Sequence, residues 1–119
     1  MSAHDLIRRI FATFDAQDVP TLAAFMADDI RLRLVNADET HGKTAFVEAV
    51  NGFLASIAAV RHQVLNVWTD RDIVVAEFDV QYTRLDGGQV TLPCCNVFRV
   101  RDGLIAEYRS YMDATPVYA

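Results

Sequence analysis

The sequence carries no surplus of positive charge. Its 11 Lys and Arg stand against 16 Asp and Glu, a formal net charge of −5. That balance argues against a nucleic-acid or anionic-membrane partner, which would select a basic face. Long apolar runs are also missing; none approaches the roughly 20 residues of a membrane-spanning helix. A glycine-rich nucleotide loop is absent, because Gly87-Gly88 lies between two strand-like segments rather than between a strand and a helix. No serine sits in a nucleophile elbow. The opening Met1-Ser2-Ala3-His4-Asp5 lacks the basic-then-apolar layout of a signal peptide, so a cytoplasmic domain is expected. Cysteine is scarce: Cys94 and Cys95 are adjacent, point to opposite faces in a strand, and cannot close an ordinary disulfide with each other. Without histidines at ligand spacing, no metal site is expected. Two readings of the cysteines stay open: small apolar fillers, or a Cys94 thiol facing a ligand cavity.

What is present is apolar periodicity. The 119 residues are 52% hydrophobic, enough for one core and one domain spanning 1–119. Leu6, Ile7, Ile10, Phe11 and Phe14 recur at helical spacing. Asp15-Ala16-Gln17-Asp18 breaks that helix, and Pro20 opens a short second one, which Asp28-Asp29 ends. Ile30 to Val35 alternates apolar and basic, as a half-buried strand does, and Asn36 to His41 is a polar loop. A third helix is expected from Lys43 to about Ala59. The period then becomes two. Strands are expected at Val60–Thr69, Asp72–Leu85, Gln89–Arg101 and Leu104–Met112, with hairpin turns at Asp86-Gly87-Gly88 and Asp102-Gly103. Helices segregated from an antiparallel meander make an α+β fold.

In that order and spacing the chain resembles the nuclear transport factor 2-like superfamily, and within it the SnoaL-like, polyketide cyclase-like group. The marks are Phe14-Asp15-Ala16-Gln17-Asp18, Phe25-Met26-Ala27-Asp28-Asp29, Gly42-Lys43, the stretch Phe98 to Ile105, and Tyr108-Arg109-Ser110-Tyr111-Met112-Asp113. The resemblance implies a cone-shaped α+β barrel, three N-terminal helices packed in a strongly curved, mostly antiparallel sheet. It implies an apolar cavity and a homodimer through the outer face of the sheet. Against ketosteroid isomerase, the general-base position falls on Leu34, the tyrosine donor on Ile10 and the protonated aspartate on Asn96. Against limonene-type epoxide hydrolases, the last-strand aspartate falls on Ser110. The catalytic aspartate of SnoaL-like cyclases falls on Asp113. The fold hosts many chemistries, so function rests on the site.

The candidate catalytic residues are therefore Asp113, His62 and Asn96. His62 is a base type suited to neutral pH, or else a buried histidine bonded to a backbone carbonyl. Asn96 is able to donate to an oxyanion, or to a structural partner. Asp113 is a base, or a turn residue before Pro116. The resemblance turns Tyr108, Ser110 and Met112 toward the cavity. Tyr82 and Tyr108 would orient a ligand, Cys94 shares the Asn96 face, and Phe14, Trp68, Phe98 and Met112 would line the walls. Two functions follow. One is proton abstraction beside a carbonyl on a small apolar molecule, with no metal or organic cofactor. The other is a non-catalytic binding or interaction module whose cavity is plugged or holds a lipid-like ligand.

Overall fold

Ser2 starts the first helix: its hydroxyl accepts the Asp5 backbone N–H at 3.1 Å, and α1 runs over Ala3–Asp15. The computed structural model describes residues 2–119. After α1 come α2 (Val19–Ala24), β1 (Met26–Leu34), β2 (Thr40–His41) and α3 (Lys43–Ala55). Then follow β3 (Ala59–Asp70), β4 (Ile73–Thr83), β5 (Gln89–Arg101), β6 (Leu104–Tyr111) and a short α4 (Thr115–Tyr118). Asp18 caps α2 by accepting the Thr21 N–H, and Pro20 lies in its first turn. The turn at Gly87 (φ +89°) and the turn at Gly103 (φ +78°) use left-handed backbone that favours glycine.

The six strands form one sheet in the order β2-β1-β6-β5-β4-β3. β1 and β6 run parallel; every other neighbouring pair is antiparallel. This is the α+β cone expected from the sequence, with α1, α2 and α3 laid against the inner face. Ile7, Ile10, Phe46, Phe98, Ile30 and Ile105 are each 0% exposed and make the closed end of the core. No helix among the described residues is long and apolar enough to cross a membrane.

Several boundaries differ from the sequence reading. The Asp28-Asp29 pair does not end α2 but lies within β1, where the register slips between Met26 and Arg31. That irregularity lets two consecutive acids face solvent after two consecutive buried residues, Met26 and Ala27. The third helix stops at Ala55, four residues early. Ile57 is nevertheless buried, beyond the helix end. The polar loop after β1 contains β2, pairing Leu32 with Thr40.

Candidate active site

Strand pairing assembles the inner face into cross-strand rows. One row is Val67, Ala76, Asn96, Ser110 and Leu34, running from β3 to β1. The next holds Thr69, Val74, Phe98, Tyr108, Leu32 and Thr40. Asn96 (1% exposed) and Ser110 (8%) therefore sit opposite each other on neighbouring strands, the two buried polar side chains of an otherwise apolar surface. Under the helices this surface does not close completely. A cavity of about 390 Å³ remains, within the range of small-molecule sites.

Asn96, Ser110, Cys94 and Tyr108 all line this cavity and touch one another. The Cys94 thiol donates to Asn96 Oδ1 at 3.7 Å and lies 3.5 Å from Ser110 Oγ. The Asn96 amide donates to the Tyr108 hydroxyl oxygen at 3.5 Å. Tyr108 therefore receives a hydrogen bond and keeps its own proton to offer. Burial pushes its hydroxyl far above the ordinary tyrosine value, with neighbouring Cys94 adding to the shift, so it stays a neutral donor. Tyr82 is raised in the same way, mainly by burial, and its hydroxyl donates to Met112 Sδ at 3.8 Å. Burial also raises the Cys94 thiol, which therefore favours its protonated form.

On β3, the edge strand of the same sheet, His62 meets a residue the sequence reading passed over. Asp15 ends α1, and its Oδ1 lies 2.5 Å from His62 Nδ1 while its Oδ2 accepts the His62 backbone N–H at 3.0 Å. The imidazole is stacked on Phe11 (4.3 Å between centroids, 12° between planes) and flanked by Phe14 and Phe78. Its side chain is only 6% exposed, yet it lines the cavity. A carboxylate on Nδ1 selects the tautomer protonated there and leaves the Nε2 lone pair free. A carboxylate at a helix C-terminus faces the negative end of the helix dipole, so Asp15 is unfavourable for α1 alone; its partner on β3 offsets that cost.

The other expected site residues divide cleanly. Phe14, Tyr82, Cys94, Tyr108, Ser110 and Met112 line the cavity. Phe98 does not; it is fully buried beneath Tyr108, ring edge to face at 4.7 Å. Trp68 does not line it either and is 53% exposed on the outer face of the sheet. The register shifts between Val64 and Asn66, so Val67 takes the inward position and Trp68 turns outward. Asp113 is exposed, and its Oδ1 accepts the Thr115 N–H two residues on at 3.0 Å, closing a turn just before α4. Hydrogen bonding from the Thr115 side chain, and then from its backbone N–H, holds the carboxyl below the usual range, and Asp113 does not line the cavity. Among the described residues no three His, Cys, Asp or Glu side chains gather as metal ligands.

Residues 7–108 match the family model described as a SnoaL-like domain. No curated protein matches the chain. Solved structures do. A nuclear transport factor 2-like protein of unknown function from Burkholderia pseudomallei aligns with a TM-score of 0.89 at 19% identity, over 100% of both chains. A protein provisionally named a SnoaL-like polyketide cyclase, from Jannaschia sp., gives 0.83 at 19% identity, over 95% of this chain and 86% of its own. An LEH-like epoxide hydrolase from M. tuberculosis gives 0.79 at 18% identity, over 96% and 84%. At such identities the likeness shows the shared fold alone.

Proposed function

The chain belongs to the SnoaL-like domain family, and from that premise we propose that it catalyses proton transfer on a small, largely apolar carbonyl compound without a cofactor. The observation that carries this reading is the Asp15–His62 pair: a histidine with one ring nitrogen fixed by a carboxylate, inside an apolar cavity. His62 Nε2 takes the proton from the carbon beside the carbonyl. The C–H electron pair becomes the new C=C bond, and the carbonyl π pair moves onto oxygen. Tyr108, supported by Asn96, donates to that oxygen as charge develops. The imidazolium then returns its proton. Return to another carbon isomerises the substrate. Proton transfer to a departing β-hydroxyl dehydrates it; attack of the enolate on a second carbonyl closes a ring, and the imidazolium proton then goes to the new alkoxide.

We further propose a homodimer through the outer sheet face. Half-buried Val75 and Val97 lie there beside Trp68 and Tyr111, each 53% exposed.

The test uses 2-tetralone in deuterated buffer, with the carbon-bound protons followed by NMR. Deuterium is expected to enter beside the carbonyl faster than in buffer alone, and His62→Gln to remove that excess. If neither this ketone nor a panel of enolisable ketones exchanges faster than buffer while binding persists, the domain is a non-catalytic ligand module. Leu34 and Ile10, at two positions where the isomerase has polar groups, support that alternative.

A further inference from the structure

The cavity is not a closed chamber. Its rim is formed on one side by Asn36, Ala37 and Asp38 of the β1–β2 turn, and on the other by Ala114 and Tyr118. Tyr118 is 56% exposed and still lines the cavity, so it stands at the mouth. Its hydroxyl lies 3.0 Å from Ser56 Oγ, at the C-terminal end of α3. Ser56 has one hydroxyl proton, and it is spent on the Phe53 carbonyl at 2.6 Å. Tyr118 is therefore the donor and Ser56 the acceptor.

Little else fastens this segment. A four-residue helix has no stability of its own. Val117 (3% exposed) is its buried anchor. The Asp113 carboxylate accepts the Thr115 N–H in the turn before it, and Arg84 Nη1 donates to the Pro116 carbonyl at 3.4 Å. One apolar anchor and a few hydrogen bonds, two of them exposed, describe an element that opens far below the cost of global unfolding. The segment also lies beyond residue 108, where the family match ends.

We infer that α4 is the gate of the cavity, with the Tyr118–Ser56 hydrogen bond as its latch, and that Tyr118 sets the size of molecule admitted. This rests on the reading of the cavity as a ligand site, but not on His62 acting as a base. A bulky molecule enters when the latch is open; a small one passes without it.

Cys94 inside the cavity supplies a test that needs no substrate. In a Cys95→Ser background, its modification is timed with methyl methanethiosulfonate, which is small, and with 5,5′-dithiobis(2-nitrobenzoate), which is bulky. Tyr118→Ala, and separately a chain ending at Ala114, are expected to speed the bulky reagent about tenfold and the small one less than about threefold. Tyr118→Phe, losing only the latch, falls between. Circular dichroism and the melting transition confirm that each variant is folded. An unchanged bulky-reagent rate in both the Tyr118→Ala and the shortened chain overturns the gate. Equal acceleration of both reagents also overturns it, as that reports general loosening. Failure of the ketone exchange assay would leave this result standing, so the two ideas fail separately.

Discussion

Asp15 holds His62 from two directions, its Oδ1 on the ring Nδ1 at 2.5 Å and its Oδ2 on the backbone N–H at 3.0 Å. One carboxylate thus fixes both where β3 passes α1 and which ring nitrogen carries the proton. Asp15→Asn keeps an acceptor but removes the charge that stabilises an imidazolium. We expect exchange of 2-tetralone protons to fall by about 10²-fold, the usual order of a general-base contribution. Asp15→Ala leaves a buried ring N–H without a partner and should cost about 1–3 kcal/mol in urea unfolding. Full exchange activity in Asp15→Asn would show that the carboxylate only supports the fold.

Alkaline pH offers a second measurement. Burial raises Tyr82 and Tyr108 far above the ordinary value of 10.0. The folded protein therefore keeps two protons that the unfolded chain releases. Stability from these groups is complete below about pH 10 and is lost as pH rises further. The loss should approach about 1.4 kcal/mol per pH unit for each tyrosine. Urea titrations from pH 9 upward check this, and Tyr108→Phe should remove about half of the slope. A slope identical to wild type would mean that Tyr108 ionises in the folded state.

Trp68 is the single tryptophan and stands on the outer sheet face. In the proposed dimer its indole is covered by the second copy. Its emission should then move to longer wavelength on dilution, in step with dissociation followed by sedimentation. Trp68→Ala should weaken association by about tenfold or more, as loss of a central aromatic anchor does. A monomer at all concentrations, with constant red-shifted emission, would remove the dimer.

The fate of Trp68 also shows what the sequence discloses. Hairpins at Asp86-Gly87-Gly88 and Asp102-Gly103 were legible because few residues accept their backbone. Alternation along β4 and β5 separates their two faces and puts Cys94, Asn96 and Phe98 together, while the resemblance turns Tyr108, Ser110 and Met112 toward the cavity. β3 breaks that alternation with one extra residue near Leu65, and nothing local announces it: Val64, Leu65 and Val67 are all apolar. Parity beyond the bulge inverts, and Trp68 leaves the cavity wall. Asp15 was hidden for another reason. Its partner is 47 residues away, and as a chain feature it reads only as the end of a helix. The one available signal was an acid at the helix terminus that repels it, without a basic residue in that turn.

Asp113 gives the last prediction, because its sequence position and its geometry disagree. The resemblance to SnoaL-like cyclases matches it to a catalytic aspartate, yet its carboxylate faces solvent and accepts the Thr115 N–H. Asparagine closes such a turn as aspartate does. Asp113→Asn should therefore retain at least about half of the wild-type exchange rate. Asp113→Ala loses the turn bond to Thr115, loosens the approach to α4, and should raise bulky-reagent labelling of Cys94 while leaving the small reagent nearly unchanged. The pair of variants separates the roles. A base would be destroyed by either change, whereas the turn bond is lost only with alanine. Loss of exchange in Asp113→Asn, in protein that stays folded and whose Cys94 labels at the wild-type rate, would return Asp113 to the chemistry and displace His62.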